Sequence, residues 1–297
     1  MPVVGIYGPT ASGKSAVAAA VAERIAAEVV SADAFQVYDG LEILTNRSPS
    51  PERLVGIWPL SHTASVGEYA PLAHAAIDEI LGAGMTPIVA GGTGLYFRAA
   101  LAELDLPPAP PPGARERWDA FYAEVGGEAA HERLAELDPA AAERVHPNDR
   151  RRVVRALELA EAGGSLAPGE ERLFRGAWRH ETLVVGLEVP KHVLEERIDR
   201  RTRAMFDSGV EAEVRAALAQ PLSETARKTI GLDEVAALAR EEAIATIAAR
   251  TRRYAAYQRK WMRRLEGVVM VAGDRPPGEI ADEIVALART RERLHRP

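Results

Sequence analysis

Residues 8–15 read GPTASGKS, and the types and spacing there suit one task, the binding of a phosphate chain. The stretch fits G-x-x-x-x-G-K-[ST]. Gly8, Gly13, Lys14 and Ser15 hold the fixed places, and Pro9, Thr10, Ala11 and Ser12 fill the loop between them. Glycines allow the backbone to curl so that successive N–H groups converge on an anion. A helix opening at Ser15 would add the positive end of its dipole. Lys14 supplies a mobile point charge, and the Ser15 hydroxyl can ligate Mg2+. The loop implies a bound diphosphate or triphosphate and leaves the reaction open. A second chemical group follows in Ser31-Ala32-Asp33, at the end of an apolar run. In an open parallel sheet the ligand crevice lies beyond the carboxyl ends of the strands, so Asp33 should face the crevice of the loop. There its carboxylate could bind Mg2+, hold a substrate hydroxyl or act as a general base; a solvated turn aspartate is the plainer alternative. GGTGLY at 91–96 places Thr93 and three glycines at another strand end, a weak signal by itself.

The elements that must position these groups are legible as alternating patterns. Apolar β-rich runs occur at 3–7, 28–31, 56–60, 87–90, 183–189 and 268–271, with Ala- and Leu-rich helical patterns between them. The first helix is expected from Ser15 to Ala27. Short apolar strands alternating with helices predict an α/β fold with a parallel sheet covered on both faces. The alternation stops at PPAPPPG, 107–113, a stiff connector. The strand-free helical stretch that follows predicts an insertion over 113–180 in a core formed by 1–112 and 181–297. Its segment HPNDRRRVVRALE, 146–158, starts a helix with Arg150, Arg151, Arg152 and Arg155 around apolar positions. A solvated face is the ordinary reading of such a run.

Composition narrows the class. The 297 residues carry a net charge of −6, with 47% hydrophobic and 27% charged residues, ordinary for a globular protein. With no cysteine, disulfides and cysteine-based zinc sites are excluded. No apolar run reaches the length of a membrane span. The opening MPVVGIYGPT lacks a basic segment and enters a strand at once, so no signal peptide is expected. A cytoplasmic location with no membrane contact is therefore expected; a monomer is also expected, although nothing in the composition fixes the oligomeric state. The net charge argues against a nonspecific nucleic-acid coat, yet RTRRYAAYQRKWMRR, 250–264, carries seven cations and no anion. Its Tyr254, Tyr257 and Trp261 could stack on unpaired bases or pack in a core.

Taken together, GPTASGKS, SAD-x-x-QVY at 31–38, GGTGLYF at 91–97 and HPNDRRRVVRALE resemble the tRNA dimethylallyltransferase family. RTRAMFDSGVEAEVRAAL at 201–218, TIGLDE at 229–234 and RRYAAYQRKWMRR at 252–264 add to the likeness. The resemblance implies a P-loop NTPase-like parallel core with a helical insertion that grips the tRNA anticodon stem-loop. It implies transfer of a dimethylallyl group from dimethylallyl diphosphate to the exocyclic amine of the adenosine just 3′ of the anticodon, with Mg2+ assisting. It gives residues 8–15 to the donor diphosphate, with Lys14 and Thr93 sharing in catalysis, Ser15 on the metal and Asp33 as the base. Asp33, Ala34, Phe35 and Gln36 would meet the adenosine, and Arg151, Arg152, Arg155 and Gln258 the tRNA. Lys228 would add a cation to the diphosphate. The chain departs from the family pattern at Ala34, Phe35, Leu232 and Lys260. Alternatives are a P-loop kinase of a nucleotide or small metabolite, a prenyltransferase of free adenine nucleotides, and an RNA-binding protein whose loop only senses nucleotide.

Overall fold

The computed structural model describes residues 1–104, 110–166 and 177–294. Residues 107–109 of the Pro-rich connector and 167–169 of the Gly/Ser/Pro stretch lie outside the described residues. The chain forms two compact units, Met1–Glu103 with Ala177–Pro297, and Leu104–Gly176.

In the first unit, β1 (Val3–Tyr7), α1 (Lys14–Ala22), β2 (Ala27–Ser31), α2 (Val66–Gly82), β3 (Thr86–Gly91) and α3 (Gly94–Leu101) follow in order. After the second unit the chain returns as β4 (Thr182–Glu188). The spatial order is β2-β3-β1-β4-β5, where β5 is Val269–Ala272, and every pairing is parallel. This is a P-loop NTPase-like core. The strands are apolar on both faces because both are covered. Val3, Tyr7, Val30, Val89 and Val184 point into one core, and Val4, Ile6, Val29, Ile88, Leu183 and Val185 into the other. The alternation has the period of two that a pleated strand requires.

The expected strand at 56–60 does not join the sheet. The segment starts at Gly56 with a φ of 63° and among the described residues forms only one isolated bridge, Tyr38 with Trp58, and its backbone pairs with the loop after β2: Gly56 N donates to Gln36 O at 2.9 Å and Trp58 N to Val37 O at 3.0 Å. Its apolar side chains pack beside that loop, which explains the misleading hydrophobicity. The first helix also ends earlier than expected, at Ala22. Ala27 instead opens β2, because residues 26–31 must pair with β3; Thr86 N donates to Ala26 O at 2.9 Å.

Between β4 and β5 the chain forms α7 (Lys191–Asp207), α8 (Val210–Leu218), α9 (Glu224–Arg227), α10 (Leu232–Ala237) and α11 (Arg240–Met262), while α12 (Pro277–Leu294) closes the unit. The helices α1 and α12 cover one face of the sheet. Where the chain leaves and re-enters this unit, Ala102 and Trp178 form an antiparallel bridge, Arg179 N donates to Leu101 O at 2.9 Å, and the Arg98 guanidinium lies 4.2 Å from the centre of the Trp178 ring.

The second unit comprises α4 (Ala114–Leu137, kinked at Gly126), α5 (Pro139–Ala142) and α6 (Arg150–Glu161). Its own small core holds Ala130, Leu134, Val153 and Leu157. Among the described residues no helix is long and apolar enough to cross a membrane.

Candidate active site

The loop at 8–15 leaves β1 and closes on α1 through Gly13, whose φ of 90° lies in the left-handed region that disfavours any side chain. No side chain caps α1, so the N–H groups of its first turn are open to an anion. The loop is held from outside. Gln258, on α11, is buried; its Oε1 accepts from Thr10 N at 2.7 Å and its Nε2 donates to Gly92 O at 2.9 Å. Tyr7 Oη donates to the same carbonyl at 3.0 Å. A Cβ on Gly92 would come within 2.4 Å of the Gln258 amide, so this glycine is required by close approach. From α7, the Arg201 guanidinium donates to Thr10 Oγ1 at 2.7 Å, and Arg197 donates to Ser12 O at 3.3 Å and Gly273 O at 3.2 Å.

Asp33, Thr10, Arg201 and Thr229 are among the residues that line a cleft whose space, open mouth included, is about 550 Å3. Phe35, Leu44, Met205, Ile230 and Ile247 give the same cleft an apolar wall. Asp33 is placed by its own turn, with Oδ1 accepting from Phe35 N at 3.0 Å. Thr93 precedes α3 but does not cap it. Its Oγ1 instead accepts from Ala34 N at 3.1 Å and lies 3.4 Å from Tyr254 Oη, which ties the GGTG turn to the residue after Asp33. Gln36 is buried: its Oε1 accepts from Ser31 Oγ at 3.1 Å, and its Nε2 donates to Thr45 O at 3.3 Å.

Burial dominates the electrostatics. Desolvation pulls the Lys14 ammonium below the ordinary lysine range, and the charge of Asp33 pulls it back up. Arg201 is shifted the same way for the same reasons. Desolvation raises the Tyr254 hydroxyl, with Asp33 adding to the rise, so it stays a neutral donor. Glu52, a second carboxyl within electrostatic reach of Lys14 and Asp33, is also raised by burial, against a hydrogen bond from Ser48. Among the described residues, the buried Ser12 Oγ, Arg201 Nε and Thr229 Oγ1 have no hydrogen-bond partner. Buried polar groups are seldom left so, and bound phosphate oxygens would satisfy such donors. The Ser15 hydroxyl in the first turn of α1 and the Asp33 carboxylate are hard oxygen donors of the kind Mg2+ takes. Among the described residues no three His, Cys, Asp or Glu side chains cluster to form a metal cage. A cation here would complete its shell with phosphate oxygens and water, as Mg2+ commonly does.

The structure thus brings Gly8 to Ser15, Asp33 to Gln36, Thr93 and Gln258 together in one region of the first unit. Two expectations change. Gln258 is 1% exposed with both ends of its amide bonded to protein, so it braces the phosphate loop and is not free to reach RNA directly. Lys228 is exposed and absent from the cleft lining, whereas Arg201 lines the cleft. The sequence does not single out Arg201 or Tyr254 as cleft residues, nor Glu52 as a carboxyl near Lys14, although Arg201 lies in the RTRAMF segment.

In the second unit Asp149 Oδ1 caps α6 by accepting from Arg152 N at 3.1 Å. Arg151 and Arg152 are exposed, while Arg155 Nη1 donates to the buried Glu158 at 2.9 Å. Glu158 also pairs with Arg115 at 3.3 Å.

Comparison with known proteins agrees with this geometry. The family pattern described as IPP transferase matches residues 36–265, and that described as isopentenyl transferase matches residues 1–58. The tRNA dimethylallyltransferase of Anaeromyxobacter dehalogenans is 42% identical over 96% of this chain and 99% of its own length. That of Streptomyces griseus is 38% identical over 96% and 95%. The crystal structure of the full-length tRNA isopentenylpyrophosphate transferase from Bacillus halodurans superposes with a TM-score of 0.69 at 31% identity, covering 98% of each chain. A eukaryotic dimethylallyltransferase captured acting on tRNA shares the fold with a TM-score of 0.80 at 23% identity, over 99% of this chain and 80% of that one. With a phosphate loop, a facing carboxylate and an apolar-walled cleft in place, and with a match spanning most of its length, the chain belongs to the IPP transferase family, the tRNA dimethylallyltransferases.

Proposed function

We propose that this protein transfers the dimethylallyl group of dimethylallyl diphosphate to the exocyclic amine of the adenosine just 3′ of the anticodon in tRNA, releasing diphosphate. The observation that carries the reading is a single cleft in which the phosphate loop, the Asp33 carboxylate and an apolar wall meet. The names of the relatives support prenyl transfer over phosphoryl transfer to a small molecule.

The residues divide the work by chemistry. First-turn N–H groups of α1, Lys14 and Arg201 hold the diphosphate and stabilise the negative charge that grows on it as the allylic carbon–oxygen bond breaks. The negative charge of a bound diphosphate opposes the desolvation that depresses Lys14, so the ammonium form is favoured when the donor is present. Ser15 would hold Mg2+ beside the diphosphate, where the cation supplies further charge neutralisation. The apolar wall receives the five-carbon chain and shields the developing carbocation from water. Asp33 accepts the amine proton as the new carbon–nitrogen bond forms. Thr93 fixes the Ala34 backbone and so the turn that carries Asp33. Ala34 and Phe35 would meet the adenine, Phe35 as part of the cleft lining, and the base must leave its stack to reach them. In the helical unit, Arg151 and Arg152 offer exposed cations to the tRNA backbone.

A competition assay with a tRNA bearing an A-A-A run tests the reading. Radiolabel should pass from dimethylallyl diphosphate to the tRNA, and ATP should not be consumed. Asp33→Asn should lower kcat by about 10²–10⁴ with tRNA affinity retained. ATP turnover without prenyl transfer would overturn the assignment, and equal loss of turnover and tRNA binding would remove Asp33 as the base.

A further inference from the structure

The acceptor base leaves its stack, so at least one neighbouring base loses a stacking partner. Proteins that handle unpaired bases usually replace that partner with an aromatic ring. One ring is placed for this. Tyr257 on α11 is 56% exposed, more than any other large apolar side chain among the described residues. It is nonetheless anchored: Trp261 Nε1 donates to Tyr257 Oη at 2.8 Å. Trp261 in turn lies so close over the GGTG turn that a Cβ on Gly94 would meet its indole at 2.2 Å. The hydroxyl end is held, while the ring makes no aromatic or cation–π contact among the described residues. Its place in the helix is specific. Tyr254, one turn earlier, lines the cleft beside Asp33. Arg253 and Lys260, four before and three after Tyr257, share its face, are exposed, and make no ion pair among the described residues. An exposed, oriented ring between two cations with no ion pair among the described residues, one turn from a residue that lines the Asp33 cleft, matches a nucleotide: base on the ring, phosphates on the cations.

We infer that Tyr257 is the stacking platform for a base immediately flanking the acceptor adenosine, and so a positioning residue for the RNA. This rests on the proposed prenyl transfer to tRNA. The experiment uses anticodon stem-loop RNAs with saturating dimethylallyl diphosphate, reading KM and kcat separately. Tyr257→Ala and Tyr257→Leu should each raise the RNA KM roughly tenfold, the scale of one lost base–aromatic stack, with kcat held within about twofold. Tyr257→Phe keeps the ring but loses the anchoring bond from Trp261, and should raise the KM clearly less than Tyr257→Ala does. Two further RNAs are made abasic at the nucleotide 5′ or 3′ of the acceptor. On one of them the wild type should lose the same factor, and Tyr257→Ala should add less than about twofold to it. An unchanged KM in Tyr257→Ala, or a full penalty persisting on both abasic RNAs, overturns the inference. If the wild-type protein prenylates none of these RNAs, the underlying function fails instead.

Discussion

Replacing Gln258 by alanine separates two roles that its position in a basic helix confuses. The amide is 1% exposed and joins the phosphate loop, at Thr10 N, to the GGTG turn, at Gly92 O. In Gln258→Ala the Gly92 carbonyl keeps its donor, Tyr7 Oη, but the Thr10 N–H loses its acceptor. Orphaning this part-buried donor costs up to about 1–3 kcal/mol, and the space vacated by the side chain adds a cavity cost of similar order. Total destabilisation should therefore be roughly 2–5 kcal/mol in urea unfolding. Because a phosphate loop works by fixed N–H directions, its loosening should raise the KM for dimethylallyl diphosphate roughly tenfold or more, while the KM for tRNA stays within about twofold. Gln258→Glu is the sharper control. It still accepts from Thr10 N but turns an oxygen toward Gly92 O, so it should be no more stable than the alanine variant. If either variant raised only the tRNA KM and left stability and donor use intact, Gln258 would be an RNA contact and the bracing argument would be wrong.

Other expectations follow from the same contacts. Arg155→Ala leaves the buried Glu158 with Arg115 as its remaining described ion-pair partner, and should destabilise the helical unit by about 1–3 kcal/mol. Arg151→Ala should leave stability unchanged but weaken tRNA binding and flatten its salt dependence by about one charge. Gly94→Ala forces a Cβ to 2.2 Å from the Trp261 indole, and calorimetry should show a loss of about 1–3 kcal/mol. Arg150 holds the Asp119 carboxyl below the usual carboxylate range by hydrogen bonding. A carboxyl depressed on folding stabilises above its unfolded value of about 3.9 and loses that contribution as pH falls through the folded value. Asp119 is 44% exposed, so the effect should stay below about 1 kcal/mol. Asp119→Asn should correspondingly reduce the drop in Tm on acidification below about pH 4.

What could be read from the chain divides along physical lines. The sheet strands next to β1 were visible because burial on both faces leaves unbroken apolar runs, and the phosphate loop because its backbone geometry demands particular residues at fixed spacing. Asp33 was visible because a parallel sheet puts all strand ends at one edge. The segment 56–60 misled because its side chains bury as a strand's would while its backbone partner is a loop, a fact composition does not carry. Gln258 misled for the opposite reason: it stands among exposed cations, and only the helix's rotation turns that one amide inward. Arg201 and Glu52 were hidden because their approach to Asp33 is made by distant chain segments folding together.

The backbone clip between Leu101–Ala102 and Trp178–Arg179 has a meaning for how such a protein can vary. Arg179 reinforces it with ion pairs to Glu103 at 2.8 Å and Asp78 at 3.0 Å. The outgoing and returning chains are fastened side by side, so the sheet unit sees what lies between them as a tether with adjacent ends. The entropy of closing such a tether grows only slowly with its length. Residues can therefore be gained, lost or exchanged between those fastenings without shifting the register of β4 against β1. The helical unit is thus free to diversify while the sheet unit and its cleft stay unaltered.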